Sequence, residues 1–420
     1  MSTTPASPDA LLPIYRQPDP VMERGEGCEV IDTEGRRYLD FTAGIGVTAL
    51  GHGSPIIRRA AEAALERGLL HTSNLYRTAP GEALAALLAE LTGMDRVFFC
   101  NSGGEAMEGA FKFARKRARV RAGWTPEAGD PPGFRKTGIV AFHGAFHGRL
   151  MGSVAATWKR LYRDPFQPVM PGVTFVDPTD RDALDAALDA ESVAAVVAEP
   201  IQGEGGIRPL PDDLLQDLRR WTEARGIALI LDEIQCGVGR TGQFRAHEAA
   251  GIRPDILVLA KPLAGGLPMG AILVTEEVAS AMQPGDHGTT FGGGPFVTAV
   301  ALEVVRTIAE PDFLAHVRAR GETLVRLLEG MAQRHPGVVR EIRGRGLMRG
   351  MELTLEVAPV VAAAFRKGLL LVGAGPDTLR FLPPLIITDG ELECGMGMLE
   401  AALVEVLAEQ GAAAAAGGAS

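Results

Sequence analysis

Cysteine is scarce in this chain. Four are spread over 420 residues (Cys28, Cys100, Cys236 and Cys394), and none forms a CxxC pair. Such spacing suggests neither a zinc knuckle nor a disulfide framework, and reduced thiols in a cytoplasm are the simpler reading. A basic excess is also missing. The 42 Lys and Arg are outnumbered by 52 Asp and Glu, for a net charge of -10. That balance argues against a general nucleic-acid binder. The opening "MSTTPASPDALLPIYRQ" lacks the basic n-region and apolar core of a secretory signal. No apolar run is long enough to span a bilayer, so no membrane partner is expected. His143 and His147 lie four apart, but "FHGAFHGR" is broken by glycine. A helix that would align them as metal ligands is not expected there, and no metal is assigned.

What is present is an alternation. The apolar share, 46%, suits a sizeable core, and the length suits one large domain with a smaller companion. Short β-type runs occupy 96–100, 138–142, 173–176, 193–200, 227–233, 255–260 and 271–275. Helical spacing follows over 105–121 and again over 212–225. This predicts an α/β fold: a mostly parallel central sheet with helices on both faces, plus a smaller α+β domain from both chain ends. The expected large domain is 71–304, and the expected small domain is 1–70 with 305–408. Long helical patterns are expected over 295–335 and 389–408. The low-complexity end, 409–420, reads as a disordered tail. Residues 121–136 read as a surface loop.

Ligands on such sheets sit beyond the carboxyl ends of the strands. Cys100, Glu199, Asp232 and Lys261 all fall at such ends. Lys261 is the one charge between Asp255 and Glu276. A buried Asp232 needs a partner. Those two residues alone suit a structural ion pair as well as a reactive site. A third piece, "CNSGGEAMEGAFKFAR" (100–115), reads as strand, turn and helix. Ser102, Gly103 and Gly104 would offer backbone N–H groups at a helix start, which is an anion site by geometry. A plain N-cap would look similar. Taken together, phosphate cradle, carboxylate and lysine are what pyridoxal 5'-phosphate requires.

At this point the chain resembles the class III, fold type I, pyridoxal-phosphate aminotransferases, and within them the acetylornithine/acetyl-lysine branch. The likeness rests on "NSGGEAMEGAFKFAR", "FHGR", "EPIQGEGG", "LILDEIQCGVGRTG", "AKPLAGGLPMGA", "HGTTFGG", "IRGRGLMRGMEL" and "LRFLPPLII" in order. The resemblance implies that Lys261 is the Schiff-base lysine and later the proton shuttle. It implies that Asp232 holds the ring nitrogen and Gln235 the phenolic oxygen. Phe146 would stack on the ring. Ser102, Gly103 and Gly104 would bind the phosphate, and Thr290 would reach the phosphate of a neighbouring subunit, making a homodimer with shared sites. Arg149 would grip the donor's α-carboxylate and Arg380 that of 2-oxoglutarate. Glu204 would cover Arg380 while an ω-amine is bound.

The implied reaction moves the terminal amine of N2-acetylornithine, or of a related Nα-acylated diamino acid, to 2-oxoglutarate. This would be a cytoplasmic step of arginine biosynthesis. The nearest alternative is lysine biosynthesis on an acidic amino-group carrier protein. Residues 112–163, with twelve Lys and Arg against two acidic residues, would favour it if they ring the mouth. An ornithine or 4-aminobutyrate aminotransferase is a further alternative. An aminomutase would need no 2-oxoglutarate site, and a cofactor-free aldolase would need no phosphate cradle. A non-catalytic relative should lack Lys261 or Asp232, and both are present. The chain departs from the family pattern at Arg77, Gly104, Pro262 and Gly294, none of them a catalytic position.

Overall fold

The computed structural model describes residues 10–15 and 17–417, the side chains of 412–417 excepted. Its centre is a seven-stranded sheet. From edge to edge the strands are Arg96–Cys100, Gly270–Val274, Ile256–Leu259, Ala228–Asp232, Val193–Ala198, Gly138–Phe142 and Val173–Val176. Six of them run in one direction, and Gly270–Val274 is antiparallel to both its neighbours.

Side-chain period decides which layer each residue joins. Ile139, Val197, Ile230, Val258 and Ile272 face one side, packed with Met107, Ala110, Phe111 and Ala114 of the helix Gly103–Arg121. Val140, Val196, Leu229, Leu231 and Leu257 face the other, with Leu215 and Leu218 of the helix Asp212–Arg225 and Val300 and Val304 of Pro295–Ala309. Burial on both faces makes these strands continuous apolar runs rather than alternating ones.

Strands from both chain ends share a second sheet. Met22–Glu26, Glu29–Asp32 and Arg37–Asp40 pair in order, and Leu369–Leu370 adds in parallel to the last. A third sheet orders Val339–Arg345, Met348–Leu353, Thr378–Phe381 and Val372–Gly373. It places Arg380 beside the carboxyl ends of the central strands, against Glu204 and Gln235.

The helical patterns over 295–335 are two helices, Pro295–Ala309 and Pro311–Arg334. Pro311 has no N–H to continue the first helix and starts the second. The last helix, Asp389–Gly417, runs beyond the expected 408 into the alanine-rich tail, whose alanines have the highest helix propensity. Residues 418–420 of that tail, and 1–9 and Arg16 of the expected small domain, lie outside the described residues.

Candidate active site

Three strand ends and one helix start meet around a cavity of about 340 Å³. Its lining includes Ser102, Gly103, Gly104, Phe146, His147, Glu199, Glu204, Asp232, Gln235 and Lys261. Nine of the eleven residues singled out from the sequence are therefore in, or directly paired into, this one space; Arg380 joins through Glu204. Arg149 and Thr290 are the two that stand outside it.

Asp232 closes its strand and is 3% exposed. One oxygen accepts the Ile234 N–H at 3.0 Å, and the other meets His147 Nδ1 at 2.8 Å. His147 is buried too, and its Nε2 has no partner among the described residues. Burial alone would lower the imidazole's proton affinity, but the Asp232 carboxylate outweighs it and holds His147 above its ordinary pKa. His143 points elsewhere, stacked on Trp158 with ring centres 4.0 Å apart.

Glu199 follows the adjacent strand. Its carboxyl accepts the Phe146 N–H at 2.9 Å and the Gly203 N–H at 3.1 Å. Burial, reinforced by the charge of Asp232, pushes its pKa up to about 7. Lys261 opens a short 3-10 turn after the strand Ile256–Leu259. Loss of hydration holds its amine below the ordinary lysine pKa, although Asp232 pulls the other way. Pro262 sits in the first turn of that element, where an N–H has no partner to lose.

Ser102 caps the helix Gly103–Arg121, its Oγ accepting the Glu105 N–H at 3.2 Å. The glycines behind it differ. A Cβ on Gly103 would lie 2.8 Å from Ile234 Cδ1, whereas one on Gly104 would meet its nearest neighbour, Leu150, at 3.4 Å. The departure at Gly104 is therefore a matter of side chain, not of space. Gly294 caps the helix Pro295–Ala309, and Arg77 is exposed and paired with Glu82.

Arg380 is 2% exposed. It donates to Glu204, to Gln235 Oε1 at 3.4 Å and to the Gly373 carbonyl at 3.2 Å. Arg149 is exposed at the rim, its guanidinium 3.5 Å from the centre of the Tyr162 ring. Thr290 is exposed beside Asn101 and Phe291, in a separate cleft.

A class-III aminotransferase model matches residues 14–403. The chain belongs to the class-III aminotransferases. Among its relatives is the mitochondrial acetylornithine aminotransferase of Alnus glutinosa, 47% identical over 91% of this chain and 83% of the relative. The acetylornithine aminotransferase of Methanocaldococcus jannaschii is 43% identical, over 94% and 96%. Among solved structures, the N-acetylornithine aminotransferase of Stenotrophomonas maltophilia superposes with a TM-score of 0.80 at 36% identity, covering 94% and 98%. The ornithine aminotransferase of Toxoplasma gondii gives 0.88 at 31%, covering 96% and 94%. The mixed, mostly parallel sheet is thus that of the fold type I aminotransferases.

The sequence raises His147 only as a metal ligand and Glu199 only as a strand-end residue, although "FHGR" and "EPIQGEGG" hold both. What was missing was the register that puts His147 against Asp232, which depends on long-range packing. The basic strip also resolves differently from a plain patch. Lys116 pairs with Asp286, Arg117 and Arg121 with Glu277, and Arg119 with Asp130.

Proposed function

We propose that this aminotransferase moves the terminal amino group of N2-acetylornithine, or of a related Nα-acylated diamino acid such as acetyl-lysine, to 2-oxoglutarate. The products are the semialdehyde and glutamate, and the cofactor is pyridoxal 5'-phosphate. The observation that carries the reading is the buried Arg380 covered by Glu204 beside Lys261. The donor named for the acetylornithine relatives agrees with it.

The cavity fits the cofactor. The Asp232 carboxyl, held by His147, suits the ring nitrogen, and the unblocked helix start at Ser102, Gly103 and Gly104 suits a phosphate. Gln235 would meet the phenolic oxygen and Phe146 the ring face. Thr290 would serve the neighbouring subunit's phosphate in a homodimer. When bound, pyridoxal phosphate supplies an electron sink for the carbon that loses its proton. The chain's own part is to hold and move protons and to sort carboxylates.

Lys261, with its lowered pKa, takes the proton from the substrate carbon and returns it. Arg149 at the rim holds the donor's distant α-carboxylate. An ω-amine has no carboxylate next to the reacting carbon, so a bare Arg380 would favour α-amino acids instead. Glu204 neutralises Arg380 during that half of the cycle. 2-Oxoglutarate then displaces Glu204 and pairs with the guanidinium fork. The setting is a cytoplasmic step of arginine biosynthesis. Among the described residues no helix is long and apolar enough to cross a membrane.

The test is glutamate formation from 2-oxoglutarate with N2-acetylornithine, ornithine and 4-aminobutyrate as donors. N2-acetylornithine should give the highest kcat/KM. A clear preference for 4-aminobutyrate would overturn the substrate assignment. A second reading, lysine linked to an acidic carrier protein, is favoured by one observation. Arg149 and Lys159 stand near the rim with no carboxylate partner among the described residues, and both lie against Tyr162. Carrier-linked lysine therefore belongs in the same donor panel, and its preference over N2-acetylornithine would select that reading.

A further inference from the structure

The motif "IRGRGLMRGMEL" holds a buried arginine that the reaction above does not use. Arg343 lies in the strand Val339–Arg345, and its side chain is only 6% exposed. Its guanidinium spends its donors in three directions. Nε donates to the Gly206 carbonyl at 2.6 Å, and Nη2 donates to Thr378 Oγ1 at 3.0 Å. Nη1 donates to Glu341 and Glu352, each at 2.6 Å.

Two of those partners belong to the gate. Gly206 comes two residues after Glu204, and Thr378 comes two residues before Arg380. The contact with Gly206 leaves no slack. A Cβ there would lie 2.9 Å from Arg343 Nη2, and the residue's φ is +100°. The next residue, Ile207, is fully buried at φ 53°. A β-branched residue takes that left-handed conformation only when its surroundings impose it. At the loop's other end, Gly203 donates to Glu199 and Gln202 Nε2 donates to the His143 carbonyl at 2.9 Å. The loop that carries Glu204 is thus tied to the central sheet before the gate residue. After it, Arg343 ties the loop to the sheet that carries Arg380.

We propose that Arg343 is a positioning residue that keeps Glu204 in register with Arg380, and so sets the preference for ω-amines over α-amino acids. Only a planar fork can serve Gly206, Thr378 and the two carboxylates together. A lysine has the charge but not the geometry. The proposal rests on the gate described under Proposed function.

The experiment measures half reactions of the holoenzyme without 2-oxoglutarate, read by the visible absorbance of the bound cofactor. One amine is whichever ω-donor the wild type prefers. The other is L-alanine, whose single carboxylate would seek an uncovered Arg380. Arg343→Lys should raise the alanine-to-donor rate ratio by roughly tenfold, the scale of one lost charge-assisted hydrogen bond. Thr378→Val, which removes one of the links, should raise it less, and it carries the test if Arg343→Lys does not fold. A ratio that stays at the wild-type value, or two rates that fall in proportion, overturns the proposal. Glu204→Ala separates the two levels of argument. If it raises the ratio and the Arg343 and Thr378 variants do not, the positioning role fails alone. If Glu204→Ala leaves the ratio unchanged, the gate itself fails.

Discussion

Lys261 sits where burial and charge pull its amine in opposite directions, and burial wins. Its neutral form is therefore populated at lower pH than in a free lysine. Reaction of the apoenzyme with pyridoxal phosphate should rise with pH through a midpoint below 10.5, the ordinary lysine value. A midpoint at or above that value would contradict the reading. Lys261→Ala should abolish turnover while circular dichroism remains native, and normal steady-state activity would sink the assignment. Glu199 makes a separate prediction. Its folded pKa, about 7, stands above its ordinary 4.5, so the folded chain keeps a proton that the unfolded chain has lost. Stability from this group is present at low pH and is lost as pH rises from about 4.5 to about 7. The apoprotein should lose denaturation midpoint relative to Glu199→Gln over that window, and parallel profiles would refute it. At this scale, Lys261 was legible because a lone charge ending an apolar run is conspicuous, and Asp232 because an acid closes a buried apolar run. His147 was not, because nothing local marks a histidine that is held by a carboxylate 85 residues away.

The helix Gly103–Arg121 starts at the cavity, where the proposed phosphate site lies. Gly103→Ala drives a methyl into Ile234, an overpacking that typically costs about 1–3 kcal/mol. Gly104→Ala has room. Cofactor affinity, measured by reconstitution of the apoprotein, should fall by roughly tenfold or more for the first and stay near wild type for the second. Equal effects would show that the two glycines are not distinguished by Ile234. In the central sheet, Ile230→Ala should cost about 2–5 kcal/mol in denaturant unfolding, since the side chain is fully buried between layers. The strands of that sheet were legible because double-sided burial writes itself as apolar runs. The small sheets were less so. Leu369–Leu370 is two residues long and finds its partner, Arg37–Asp40, more than three hundred residues earlier. Local pattern cannot announce such a pairing, although the change of texture towards both chain ends already grouped them in one small domain.

At the scale of the whole molecule, one exposed apolar surface lies beside Thr290. Leu69, Leu70, Leu75, Tyr76 and Phe291 are exposed together with His71, whose ring lies 5.4 Å from that of Phe291. Asn74 joins the two segments by donating to the Thr289 carbonyl at 2.7 Å. Thr290 stands in the same patch, outside its own chain's cavity. A second copy covering this face would account both for the apolar exposure and for the place of Thr290. Sedimentation equilibrium should give a dimer, and Phe291→Asp should weaken it together with cofactor retention. A monomer with full cofactor occupancy would contradict shared sites.

The central claim is tested most directly by a single-turnover half reaction. The purified holoenzyme is mixed with N2-acetylornithine alone, and the visible absorbance of the bound cofactor is followed. The account predicts rapid loss of that absorbance, restored by adding 2-oxoglutarate, with ornithine and 4-aminobutyrate slower. No change with N2-acetylornithine, alongside rapid loss with carrier-linked lysine or an α-amino acid, would contradict it.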